Sequence, residues 1–447
     1  MTEPLPRGWA HCRLADVGTW GSGGTPARSN PAFFRDGTIP WLVIGDLNDG
    51  VVLSSESKIT TEGLATSSAK LLEPGILLIA MYGSIGKLGI TGIECATNQA
   101  IAFCRPKPGL DLRFLFRLLQ ESKPALVLKG KGGAQQNISQ GVLKEHMVRL
   151  APSAEQQRIA DKLDTVLARV DSCRDRLTRV APLLKRFRQS VLAAATSGRL
   201  TADIEPAFDA GLESLASLGA VTGGLTKNAK RGELPMHRPY LRVANVHANE
   251  LRLGDVTEIG LTDAEFAKTK LVAGDLLIVE GNGSIEQIGR VAMWSGEIAN
   301  CCHQNHLIRW RAGLRVLPKF VLCFLLSPEG RRQIEAVASS TTGLHTLSVS
   351  KVGELQLPVP TLELQAEIVR RVETLFAFAD RLEARLAQAQ TAVDRLTPSL
   401  LAKAFRGELV PQDPADEPAS ELLKRLQAAA ADPSAARRPR RRISAAA

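Results

Sequence analysis

The sequence predicts an α/β (α+β) protein: globular domains in two copies, separated by long α-helices that form an antiparallel coiled coil, with a pseudo-twofold internal repeat. Three observations predict it. Apolar side chains recur at Ile159, Leu163, Val166, Val170, Cys173, Leu177, Val180, Leu184, Phe187 and Val191, in alternating steps of four and three. That is the a/d spacing of a coiled coil. The stretch then repeats at an offset of 209 residues: Ile368, Val372, Leu375, Ala379, Leu382, Leu386, Ala389, Val393, Leu396 and Leu400 stand at the same positions, and Gln156, Ser190, Gly198 and Leu200 match Gln365, Ser399, Gly407 and Leu409. Finally, each helical stretch follows a block of mixed character whose landmarks recur in order. The period is far too long for a solenoid. Two rods of equal length in one chain should pack on each other, and antiparallel packing places the globules at opposite ends.

Taken in order, the first block covers residues 1–150. Trp9 opens a short strand and turn, and Gly21-Ser22-Gly23-Gly24-Thr25-Pro26 is a loop. Ile39-Pro40-Trp41-Leu42-Val43-Ile44 reads as a strand and Gly75-Ile76-Leu77-Leu78-Ile79-Ala80-Met81 as a buried one. Gly83-Ser84-Ile85-Gly86-Lys87 is a tight loop, Ala100-Ile101-Ala102-Phe103 a strand, and Leu112 to Gln120 a helix. A polar loop from Lys129 to Ser139 closes the block. The first helical arm covers 151–204. Pro182 should break it into a long and a shorter helix. Residues 205–235, rich in Gly, Ala, Ser and Thr, read as a linker. The second block covers 236–358: Tyr240 answers Trp41, Gly274 to Val279 answer Gly75 to Ala80, and Cys301-Cys302-His303 answer Cys95-Ala96-Thr97. The second arm covers 359–427, with Thr397 as N-cap and Pro398 at the first position of a new helix. Residues 428–447 form a basic tail.

Composition narrows the function. A chain of 447 residues holds roughly two to four domains. No apolar run approaches the ~20 residues that span a bilayer, and the first residues lack a secretory pattern. The expected location is the cytoplasm, without a membrane partner. The seven cysteines are odd in number and scattered, so reduced, buried thiols are expected. The net charge of +10 suits a polyanionic partner. Half of it comes from Arg437, Arg438, Arg440, Arg441 and Arg442, in a Pro/Ala-rich tail that reads as disordered.

The catalytic motifs fail on spacing. Asn30-Pro31-Ala32-Phe33 imitates the catalytic box of adenine methyltransferases but lacks its second proline. It also follows the glycine turn at Gly18 and Gly21 too closely for a Rossmann-like enzyme. The Gly83 loop has Met81 where a phosphate loop needs glycine, and Gly281-x-Gly283 is followed by Glu286 where the dinucleotide fingerprint has its third glycine. Cys301, His303 and His306 are replaced by Cys95, Thr97 and Ala100 in the first copy, so no metal site is expected. No catalytic residue is assigned.

Ordered pieces present twice resemble a family. Glu155-Gln156 with Ile159, the long helix, and the exit Ser190-Val191-Leu192 to Gly198-Arg199-Leu200 are similar to the central conserved region of type I restriction–modification specificity (S, HsdS) subunits. Pro360, Gln365, Ile368 and Ala404-Phe405-Arg406-Gly407-Glu408-Leu409 resemble the distal copy. In the second copy the Glu-Gln pair is offset to Glu363-Leu364-Gln365. The Gly23-Gly24-Thr25-Pro26 and Gly83 loops are similar to that family's target recognition domains.

The resemblance implies a non-catalytic, sequence-specific DNA-binding subunit. Blocks 1–150 and 236–358 would each read one half of a bipartite, asymmetric site on double-stranded DNA. The arms would set the gap, with Ile159, Leu163, Val166, Val170, Leu177, Ile368, Val372, Leu375, Leu382 and Leu386 as the coiled-coil core. They would dock two methyltransferase (M) subunits, joined by restriction/motor (R) subunits. The chain needs no cofactor of its own; S-adenosylmethionine, ATP and Mg belong to the partners. Donor-rich loops supply the candidate DNA contacts: Ser84, Lys87, Lys129, Lys131, Gln135, Gln136 and Asn137, then Asn282, Gln287, Arg290, His345 and Thr346. The competing readings are a duplicated coiled-coil scaffold without DNA specificity and a fused adenine methyltransferase.

Overall fold

The computed structural model describes residues 4–131, 136–205, 210–341 and 344–431. The chain forms two compact units, Met1–Arg176 with Gln390–Ala447 and Leu177–Ala389. Gln135 and the Arg-rich residues from 432 onward lie outside the described residues; residues 428–431 are the end of a helix.

In the first unit the strands β1 (Gly18–Ser22), β2 (Gly50–Val52), β3 (Leu77–Ala80), β4 (Leu88–Thr91) and β5 (Ile101–Pro106) form a sheet in the order β1-β5-β3-β4-β2. Every pairing is antiparallel except β4 with β2. The continuous apolar run of β3 is explained by cover on both faces. Leu77 and Ile79 face one core with Phe114, Leu115 and Leu118; Leu78 and Ala80 face another with Leu42, Leu47 and Val52. In the second unit β6 (Gly219–Thr222), β7 (Leu276–Val279), β8 (Val291–Met293) and β9 (Leu307–Ala312) form an antiparallel sheet in the order β6-β9-β7-β8. Each unit adds a three-stranded sheet, and the two agree in register. Trp41 pairs with Ala96 in parallel, as Tyr240 does with Cys302.

The longer helices are α1 (Leu112–Leu128), α2 (Ser153–Thr196), α3 (Pro318–Leu326), α4 (Pro328–Val337), α5 (Leu362–Phe405) and α6 (Ala419–Ala431). Helices α2 and α5 are antiparallel neighbours within each unit. In the second unit Arg371 bonds Asp203 at 2.6 and 2.8 Å, while Arg188 bonds Asp380 at 2.6 Å and Glu383 at 3.1 Å. In the first unit Ile159, Leu163 and Leu167 share a core with Leu401, Ala404 and Phe405.

Four expectations are corrected. Pro182 and Pro398 do not divide the arms: α2 and α5 each run for 44 residues through their proline. Each proline forfeits one backbone bond, but the apolar seam continues past it. Around Pro182, Leu184 is buried with Ala379 and Leu386, and Leu177, Val180, Phe187 and Leu382 pack on them. Thr397 therefore caps nothing. Strict heptad counting also fails locally, since Cys173 and Leu396 are exposed and Leu167 is more buried than Val166. A helix of 3.6 residues per turn drifts ~20° per heptad off a 3.5 repeat. Lastly, residues 205–235 are not a linker throughout. Leu212–Ser214 pairs with Gln356–Pro358, and β6 joins the main sheet. Small residues hid these strands: a Cβ on Gly219 would sit 2.3 Å from the Arg311 carbonyl oxygen.

Candidate nucleic-acid interface

In the first unit the chain leaves β3 through Met81 and Tyr82 into the Gly83 loop. Gly83 and Gly86 take φ of 66° and 77°, the left-handed region that favours glycine. Helix α1 ends at Leu128, and Lys129 and Lys131 start the polar segment that returns through Gln136, Asn137, Ile138 and Ser139. Backbone bonds join the two segments. Gly83 donates to Gln136 at 3.1 Å and Ile138 to Met81 at 2.9 Å; Lys131 and Asn137 exchange two bonds of 2.9 Å. The result is a cleft of about 430 Å³ lined by Tyr82, Lys129, Lys131, Asn137, Ile138 and Ser139.

The cleft brings together Lys129, Lys131 and Asn137. Gln136 is exposed beside it, and Ser84 is exposed in the adjoining loop. Lys87 is placed differently. Its ammonium donates to the carbonyls of Ile44 and Gly45 at 3.1 and 3.3 Å, so it ties the loop to the turn Ile44–Asp46. Tyr82 escaped the sequence reading. The chain has only two tyrosines, and one stands directly before the Gly83 loop, which was the available signal.

The second unit repeats the construction. Gly281–Asn282 extends β7 and pairs with Leu344–Thr346, which pairs in turn with Ser339–Thr341. Asn282 is opposite His345, and Gly281 opposite Thr346. This answers the bridges of Tyr82 with Asn137 and of Asn137 with Lys131. Asn282, His345 and Thr346 therefore share one patch. Gln287 is exposed in the next turn, and Arg290 is half-buried before β8. Arg331 on α4 backs that turn, donating to the carbonyls of Ile288, Ile285 and Glu286. Beside the patch His306 and Glu280 pair at 2.9 Å, where the first unit has Ala100 and Met81.

The other singled-out motifs are structural. Asn30 caps the turn Pro31–Phe33, its side-chain oxygen accepting from the Ala32 amide at 3.1 Å. Gly24 accepts from the Trp41 indole at 3.0 Å, and a Cβ there would lie 2.2 Å from the Ala69 nitrogen. Burial pushes the thiols of Cys12, Cys95, Cys104, Cys301 and Cys323 up to about 12. Burial likewise pushes His303 down to about 4. Among the described residues no group of His, Cys, Asp and Glu could hold a metal, and no helix is long and apolar enough to cross a membrane.

Two buried glutamines help to fix the globules to the arms. Gln156 accepts from the Asp111 amide at 3.2 Å and donates to the Ala151 carbonyl at 2.9 Å. Gln365 accepts from the Leu317 amide at 2.8 Å and donates to the Pro360 carbonyl at 2.8 Å. Asp111 and Leu317 are the N-caps of α1 and α3.

Residues 6–180 match the family model described as "Type I restriction modification DNA specificity domain". The chain is 30% identical to the type I restriction enzyme EcoKI specificity subunit of Escherichia coli strain K12, over 95% of this chain and 96% of that protein. It is also 30% identical to the StySPI specificity subunit of Salmonella potsdam, with the same coverage. The HsdS subunit of Thermoanaerobacter tengcongensis shares the fold with a TM-score of 0.55 at 16% identity, over 90% of this chain and 98% of that one. A chain from a structural study of the assembly and conformational transition of a type I R-M system gives 0.64 at 17%, over 91% and 100%.

Proposed function

The chain belongs to the specificity subunits of type I restriction–modification enzymes, and from that membership we propose that each of its two units reads one half of a bipartite, asymmetric DNA site. It is the component that confers DNA-sequence specificity. The observation that carries the half-site reading is the repeated patch. A glycine loop leaves the central strand and is joined by backbone bonds to the polar segment that precedes the arm following it, once with Lys129, Lys131 and Asn137 and once with Asn282, His345 and Thr346. Amide, imidazole and hydroxyl groups suit base edges, and lysines suit phosphates. The residues differ between the copies, which suits two unlike half-sites.

Blocks 1–150 and 236–358 then act as target recognition domains, the second extended toward residue 210 by its added strands. The arms set the gap between half-sites. An α-helix of 44 residues measures about 66 Å, roughly two turns of B-DNA. The arms also dock two methyltransferase subunits, to which restriction and motor subunits attach. Apolar grooves beside them support docking: about 810 Å³ between the end of α1 and Thr397, Pro398 and Leu401, and about 490 Å³ between Trp294 and the first turns of α5. Methyl transfer and cleavage, with S-adenosylmethionine, ATP and Mg, fall to those partners in the cytoplasm.

Mapping methylated adenines in DNA exposed to the complete methyltransferase tests the reading. The expected outcome is a two-part motif with a fixed gap. Substituting Lys131 and Asn137 changes one part, and substituting His345 and Thr346 changes the other. A continuous palindrome, or changes in both parts from one pair, would overturn it.

A further inference from the structure

Lys129 stands where α1 ends and the cleft of the first unit begins. Its ammonium lies 2.9 Å from Nδ1 of His146. An ammonium has only hydrogens to offer, so Nδ1 accepts and the imidazole is neutral. Burial first, and the Lys129 charge second, hold the His146 pKa below its ordinary value. Charged groups on the neighbouring segments engage one another: Arg13 meets Glu145 at 3.4 Å and Asp16 at 3.6 Å. The His146 backbone is fixed as well. Its carbonyl accepts from the Leu14 amide at 3.0 Å, and its amide donates to Leu143 at 3.2 Å. The ring is a fixed acceptor behind a lysine that lines the cleft.

We infer that His146 is a positioning residue for DNA binding, whose neutral ring holds the Lys129 ammonium ready for a backbone phosphate. This rests on the reading of the cleft as facing DNA. A lysine restrained on folding has less side-chain freedom to surrender on binding. One of its three hydrogens serves His146, leaving two for phosphate oxygens. The second unit supplies an internal comparison. Leu215 donates to the Leu355 carbonyl at 2.9 Å, as Leu14 does to His146. The fold thus accepts an apolar side chain at this place.

The test uses the subunit assembled with its methyltransferase subunits and a duplex carrying the mapped motif, titrated at several salt concentrations. His146→Leu is expected to weaken binding roughly two- to tenfold and to lower the salt slope by about one. His146→Asn, which keeps an acceptor near Nδ1, restores the wild-type curve. Lys129→Met reproduces the loss, and His146→Leu adds nothing on top of it. An unchanged His146→Leu curve, failure of His146→Asn to restore binding, or a full further loss in the Lys129→Met background overturns the positioning role. An unchanged Lys129→Met curve overturns the reading of the cleft itself, and the inference with it.

Discussion

Gln156 and Gln365, 209 positions apart, make the same pair of hydrogen bonds. Each accepts from the amide of a helix-capping residue and donates to the carbonyl five residues upstream. Both side chains are fully buried. Removing either amide strands an N–H and a C=O that are buried or part-buried. Gln156→Leu or Gln365→Leu should therefore cost about 2–4 kcal/mol, measured by urea unfolding. In the assembled enzyme Gln156→Leu should impair reading of one half-site and Gln365→Leu the other.

Restoring the missing backbone donor in an arm should stabilise it. Pro182→Ala or Pro398→Ala is expected to add up to about 3 kcal/mol, seen as a higher midpoint in thermal melts followed by circular dichroism. The methylated motif should keep both its halves.

Lys87 and Lys131 should separate in kind. Lys87→Met removes bonds to the Ile44 and Gly45 carbonyls and should cost about 1–3 kcal/mol of stability with the salt slope intact. Lys131→Met should lower the salt slope by about one and leave the melt unchanged.

Two buried groups give pH dependence of opposite sign. Burial is the main cause raising the carboxyl pKa of Glu155, although the Trp9 indole donates to it at 3.0 Å. Its contribution is complete below the ordinary glutamate value and is lost as pH rises through the folded value. Glu155→Gln should keep the indole bond and melt higher than wild type at pH 7.5, with no difference at pH 4. His303, held at about 4 by burial, contributes above its ordinary value near 6.5. That contribution is lost as pH falls from 6.5 toward 4. Urea titrations of wild type and His303→Gln across that range should converge in acid.

The repeat was legible because burial on one face leaves a periodic mark, and because Gln156 and Gln365 keep their offset. Strands β3 and β7 were legible as unbroken apolar runs. Less was legible where a position is decided by its neighbours. Composition marked Gly219 as linker, whereas the Arg311 carbonyl leaves no room for a Cβ in the strand that glycine opens. The prolines announced breaks because a local rule has no knowledge of the seam that carries Leu184 and Ala379 past Pro182. At the proposed interface, loop polarity singled out Lys129, Lys131 and Asn137, which the structure gathers in one cleft. It gave no warning that Lys87 turns back to the Ile44–Asp46 turn, nor that Tyr82 lines the cleft. The two tryptophans show the same limit. Trp20 on β1 and Trp310 on β9 both donate to an equivalent carbonyl, of Leu14 and of Leu215, from opposite members of a strand pair. No fixed offset aligns them.

The glutamine joint has a consequence for how such a chain can change over generations. Everything it grips is peptide: the amides of Asp111 and Leu317 and the carbonyls of Ala151 and Pro360, with the Arg315 carbonyl added in the second copy. The residues gripped share no side-chain chemistry, yet the pair of bonds is the same. A lineage that exchanges one globule for a divergent one keeps this joint wherever the amide side chain and the path of the main chain are kept, so inheritance at the joint is indifferent to the letters of the reader it carries.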